Sequence, residues 1–177
     1  MIISIICGCI AFIAIIILII KLKSDKLYVY NTKIQEAENE IQLLLDKKMS
    51  LLSEIHQQLS EQIENINFNY LCNLEDINDD EFKLNSILNN AYSELKDFLE
   101  NRHSFIPEDN TKHLIDELYR INIECIATKN YYNDNSIILN NKIKKFPNNI
   151  IAKFKHLHKK ELYNDPVEEE FEILKKK

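Results

Sequence analysis

Apolar residues follow two regimes along this chain. From Ile2 to Ile20 they are continuous, with no charged residue and nothing more polar than Ser4. Beyond Lys21 they return at intervals of three and four among charged and amide side chains, which is the period of an amphipathic helix. The first regime predicts a membrane span. At ~1.5 Å rise per residue it approaches the ~30 Å hydrocarbon core of a bilayer. A cleaved signal would need a basic start, an apolar stretch of ~7–15 residues and a small-residue cleavage site. Here only the terminal amine precedes the run, and Ile19-Ile20-Lys21-Leu22 offers no such site. Gly8-Cys9 resembles the end of a lipoprotein signal, but most of the run follows that cysteine. An uncleaved anchor is the favoured reading.

Lys21, Lys23 and Lys26 stand directly behind the run, with Lys33 a little further on. Lysine excess marks the cytoplasmic flank of a span. The expectation is a single-pass protein of the cell membrane, with its N-terminus outside and its C-terminal domain in the cytoplasm.

The second regime predicts four helices. The first runs from Tyr28 to about Ile66, with Ile34, Ala37, Ile41, Leu45, Leu51 or Leu52, Ile55, Leu59, Ile63 and Ile66 on one stripe. No proline or glycine separates it from the anchor, so the two can form one rod. Residues 67–80 are rich in Asn and Asp and read as a loop. A second helix covers roughly 80–101, with Phe82, Ile87 or Leu88, Ala91, Leu95, Phe98 and Leu99 inward. Asn101 to Asp109 connects to the third, unless Pro107 already sits in its first turn. The third has coiled-coil-like spacing: Leu114, Leu118, Ile121, Cys125, Thr128, Tyr132, Asn135, Leu139, Ile143 and Phe146. Pro147 stops it, because the residue before a proline avoids helical geometry. A fourth helix, Asn149 to about Leu162, turns Ile150 or Ile151, Phe154, Leu157 and Tyr163 inward. The fold class is all-α: an N-terminal transmembrane helix and then an antiparallel four-helix bundle with long helices. The division is an anchor with its basic flank (1–26), a helical domain (27–165) and a charged tail (166–177), expected to be mobile.

Composition narrows the chemistry. The net charge is −6, and no basic stripe interleaved with aromatics points to nucleic acid. The chain has a single glycine, Gly8, inside the apolar run. Phosphate-cradling loops, dinucleotide fingerprints and nucleophile elbows all need glycines, so none can be built here. The cysteines, Cys7, Cys9, Cys72 and Cys125, have neither zinc nor redox spacing and read as free thiols.

One stretch is motif-like. Tyr131-Tyr132-Asn133-Asp134, then Asn140, Ile143, Phe146-Pro147 and Ile150-Ile151-Ala152 form a series that resembles the C-terminal signature of the LemA family. It matches without gaps from Lys129 to Ala152. Weaker similarity covers Tyr30-Asn31 and Ile34, then Ala37, Ile41, Leu45, Lys47-Lys48 and Leu51-Leu52. It continues at Tyr92-Ser93-Glu94-Leu95-Lys96 and at Leu114, Glu117 and Leu118. The chain departs from the family pattern at Glu38 (usually Trp), Gln42 (Asp), Lys47-Lys48 (two Arg), Ser93 (Pro) and Asn122 (Glu), as a divergent member would. The resemblance implies one N-terminal transmembrane helix and an antiparallel helical domain, and it supplies no established catalytic role to carry over.

Tyr132, Asn133, Asp134 and Asn140 are the candidate binding residues. The favoured reading is structural: hydrogen bonds between and at the ends of helices that set the register of the third and fourth. A ligand or partner surface is the alternative. His156 and His158 lie two apart on a helix, facing different ways, among Lys153, Lys155, Lys159 and Lys160, so no metal site is expected. That basic segment can instead meet anionic lipid. Glu36, Glu38, Glu40 and Asp46, or Glu75 with Asp76, lack the Glu-x-x-His element of bundle metal sites and read as exposed charge. No catalytic residue, metal, cofactor, small-molecule substrate or nucleic acid is expected. The partners are the bilayer, through residues 2–20, and an unidentified protein or a second copy. The function expected is non-catalytic interaction or scaffolding at the cytoplasmic membrane. A carboxylate-based hydrolase is the rival, with an exported surface adhesin third if the topology is reversed.

Overall fold

The computed structural model describes residues 2–63, 68–71, 81–101 and 107–164. Among them there are four helices and no strand: α1 (Ile2–Gln62), α2 (Glu81–Asn101), α3 (Asp109–Ile143) and α4 (Asn148–Phe154). The apolar run and the first amphipathic helix are one element, as the missing helix breakers allow, and it stops at Gln62. Pro107 lies ahead of α3 rather than in its first turn; Lys112 N–H donates to Glu108 C=O at 2.9 Å, which opens the helix. The expectations for Ile66, for 72–80 (with Cys72, Glu75 and Asp76), for 102–106 and for the tail from residue 165 lie outside the described residues.

Among the described residues no helix is long and apolar enough to cross a membrane. Lys21, Lys23, Asp25 and Lys26 follow closely on the apolar run. What is described, Ile10 to Ile20, leaves its large aliphatic and aromatic side chains 41–66% exposed.

Contacts divide the chain into two compact units. One holds Met1–Glu38 with Asn130–Leu162, the other Asn39–Lys129 with Tyr163–Lys177.

In the second unit, Leu52, Ile55 and Leu59 of α1 and Leu88 and Ala91 of α2 are fully buried. Each large aliphatic contributes about 1.5–3 kcal/mol by leaving water. Lys48 opposes Asn122, while Gln58 and Gln62 bond Thr111 at 2.8 Å, so α1 and α3 are antiparallel. α1 and α2, however, are parallel. Lys48 bonds Asn89, and the Phe68 ring bridges His56 to Phe98, so the numbers rise together. The expectation of an antiparallel first pair is corrected. It assumed a short connection, whereas the residues between Gln62 and Glu81, at up to ~3.3 Å each, can span the whole of α2. Phe68 and Leu71, assigned to a loop, are core residues at 4% and 2% exposure. Their backbone is held by Glu94, whose carboxylate accepts N–H bonds from Asn69, Tyr70 and Leu71 at 2.6, 3.0 and 3.3 Å.

In the first unit, Leu27, Ile34 and Ala37 of α1, Tyr132 and Leu139 of α3, and Ile151 and Ala152 of α4 are buried. Phe146 and Phe154, both expected inside, are 79% and 81% exposed. The expected fourth helix is also cut short, with α4 ending at Phe154. His156 takes φ 53°, and Leu157 N–H donates to Ala152 C=O at 2.9 Å and His156 N–H to Lys153 C=O at 3.4 Å. That is the Schellman termination, usually made by glycine. Histidine is among the residues that tolerate this left-handed backbone. The stop therefore left no glycine in the sequence to be read. From Leu157 to Asn164 the chain has no regular structure, and helical phase no longer decides which side chains are inside.

Candidate functional site

The motif on α3 can be followed atom by atom. Tyr132 is buried, and its hydroxyl donates to the Glu161 carbonyl at 2.9 Å. Asn140 holds both backbone groups of Lys160. Its amide donates to the Lys160 carbonyl and its Oδ1 accepts the Lys160 N–H, each at 2.8 Å. A side-chain amide thus substitutes for a strand partner and satisfies an irregular segment that has no helical hydrogen bonds of its own. The Lys160 ammonium pairs with Glu38 at 2.8 Å. Asn133 is half-buried and partnered, and Asp134 is exposed on the opposite face. The structure thus brings Tyr132 and Asn140 together on the chain after α4 and leaves Asp134 apart. Replacing Asn140 with alanine should expose the lost pair of bonds as about 2 kcal/mol of destabilisation, with faster hydrogen exchange at the Lys160 amide. Unchanged exchange there would mean that the clamp is not formed in solution.

The second unit holds a polar layer that sequence reasoning missed. Lys48 is completely buried; its ammonium donates to Asn89 Oδ1 at 2.8 Å and Asn122 Oδ1 at 2.7 Å and stands 5.1 Å from the Tyr92 ring centroid. Lys129, 2% exposed, donates to Asn85 Oδ1 at 2.8 Å and lies 6.0 Å from the Tyr163 ring. The expected stripe on α3 passed through Thr128, yet Thr128 is half-exposed and bonds its own helix at Glu124 C=O, 2.9 Å. Its neighbour Lys129 is the residue turned inward. A signal was present: Lys48 fills the gap between Leu45 and Leu52 in the stripe of α1. Composition argued against it, since lysine is almost never fully buried without partners.

No group of three or more His, Cys, Asp or Glu side chains able to hold a metal ion occurs among the described residues. Glu36, Glu40 and Asp46 are exposed on α1, while His156 and His158 are exposed after α4. Neither Cys125, which is buried, nor Cys7, which is exposed, is in a disulfide. The asparagine and lysine groups described above hold backbone and one another.

The class defined by these features is an all-helical protein whose polar motifs hold its own segments. A model of the LemA family matches residues 69–173, more than half of the chain, and the protein belongs to that family. The match includes the Tyr92, Leu114 and Lys129–Ala152 elements, whereas the weaker similarities between Tyr30 and Leu52 precede it. Neither a curated protein nor a solved structure matches the chain.

Proposed function

We propose that this LemA-family protein is a single-pass, membrane-tethered helical module that works by contact, not catalysis. Its domain faces the cytoplasm and offers helical surface to another protein or a second copy. One observation carries the reading. From Ile10 to Ile20, α1 exposes apolar side chains all round, with no groove or partner face distinguished, and its charges begin only at Lys21. A helix apolar on every side belongs inside a protein core or a bilayer. Residues Ile2 to Cys9 extend the uncharged run in the sequence to a spanning length. Lys21, Lys23 and Lys26, all exposed, supply the cytoplasmic bias.

Full-length protein should remain in the membrane pellet through high salt and alkaline carbonate. The double substitution Ile13→Asp/Ile16→Asp should release it, since each aspartate costs ~2.5–3.5 kcal/mol at mid-span. Protease added to intact cells should leave the domain uncut. Recovery of the unaltered chain in the salt wash overturns the tether, and digestion of the domain reverses the topology.

A further inference from the structure

A lysine-lined groove lies on α1 immediately past the apolar run. It is open to solvent, about 490 Å³ in volume, and has an apolar floor of Leu22, Val29 and Tyr30, with Lys26, Lys33 and Lys142 around it and Asp25 the one acid. Lys142, in the last turn of α3, places its ammonium 5.3 Å from the Tyr30 ring centroid, and Lys33 places its own 6.0 Å from the same ring. Two like charges gathered on one ring repel unless an anion joins them. Among the described residues none of the three lysines forms an ion pair.

The chain leaves α3 at this level and turns into α4. There Phe146, Ile150 and Phe154, spaced by four, are 79%, 48% and 81% exposed, with Lys144, Lys145 and Lys153 exposed beside them. Aromatics flanked by lysines suit the boundary between acyl chains and headgroups. Distance along α1 agrees. At ~1.5 Å per residue the groove begins at Leu22, about 3 Å beyond Ile20 and within the ~5–8 Å headgroup layer of an inserted helix, while Lys26 at about 9 Å and Tyr30 at about 15 Å stand above it, from where lysine stems reach back down.

We propose that this end of the first unit is a second bilayer contact. The groove takes the phosphate of an anionic phospholipid from the leaflet that α1 enters, and Phe146, Ile150 and Phe154 sink into the interface beside it. Juxtamembrane lysines are known to recognise such headgroups. The inference rests on the tether proposed above, and the test separates the two.

The chain has no tryptophan, so Phe154→Trp in the full-length protein supplies a single indole reporter. Reconstituted into vesicles containing phosphatidylglycerol, the indole should shift to the blue and be quenched by lipids brominated near the headgroup. In phosphatidylcholine alone the effect should be weaker. Lys33→Gln/Lys142→Gln, which leaves Lys21, Lys23 and Lys26 in place, should lower phosphatidylglycerol affinity of the detergent-solubilised protein roughly 30-fold, at about fivefold per lysine. Inorganic phosphate should not displace the lipid. Protein that floats with both vesicle types but shows an unquenched indole overturns the inference and leaves the tether standing. Equal lipid retention by the double variant, or displacement by inorganic phosphate, also overturns it. Protein that fails to float at all removes the tether and the inference together.

Discussion

Lys48→Ala should cost the helical domain about 3 kcal/mol. The ammonium is wholly buried and donates to Asn89 and Asn122 on two other helices. Hydrogen bonds to a charged group are worth about 1.5–3 kcal/mol each, and truncation leaves a void as well. The total stays below the sum because alanine also removes the cost of keeping an ammonium from water. For a chain of this size the loss corresponds to a fall of about 6–12 °C in Tm. Urea unfolding of the full chain in non-ionic detergent, followed by helical circular dichroism, measures it. Lys47→Ala, next door and exposed, should stay within about 0.5 kcal/mol. Lys48→Met fills the space but offers Asn89 and Asn122 no donor, so it should lie between the two. If Lys48→Met proves as stable as the parent, the lysine sets helix register without adding stability.

That site also shows what the sequence concealed. Periodicity was legible at most apolar positions inside the long helices: Ile34, Ala37, Ile41, Ile55 and Leu59 on α1, Leu88, Ala91 and Leu95 on α2, and Leu118, Cys125 and Leu139 on α3 are all buried, although Leu27 and Leu44, also buried, stand off the expected stripe. It succeeded at Asn135 but failed at Lys48, Asn85, Asn122 and Lys129, because a lone lysine or asparagine reads as solvent-facing until its partner is known. Asn85 and Lys129 account for each other only when α2 and α3 are placed together. The parallel course of α1 and α2 was hidden for a similar reason, since connection length permits a topology but does not select one. The early end of α4 was hidden because His156, not glycine, carries the left-handed turn. At the candidate motif, Tyr132 and Asn140 were legible as residues needing partners, but those partners are the backbone of Glu161 and Lys160, which no side-chain pattern announces.

Tyr163→Ala should destabilise the domain by about 3–5 kcal/mol. Tyr163 is 4% exposed although it lies outside any helix. Its ring stacks on Phe82 with centroids 4.4 Å apart and planes 24° from parallel, and its hydroxyl donates to Glu81 in the first turn of α2. The Lys129 ammonium stands 6.0 Å from the same ring, so truncation also strips a contact from the buried lysine. Tyr163→Phe separates the terms: it keeps the stack and the cation contact, loses one hydrogen bond, and should cost about 1 kcal/mol. Loss of the whole ring should free the chain beyond α4 to open locally before the rest unfolds. New proteolytic cuts between Leu157 and Asn164 would report that opening at concentrations of urea that leave the helical signal intact. Equal costs for Tyr163→Phe and Tyr163→Ala would place the anchor in the bond to Glu81 and deny the stack any share. A negligible cost for both would mean that Tyr163 does not occupy this site in solution.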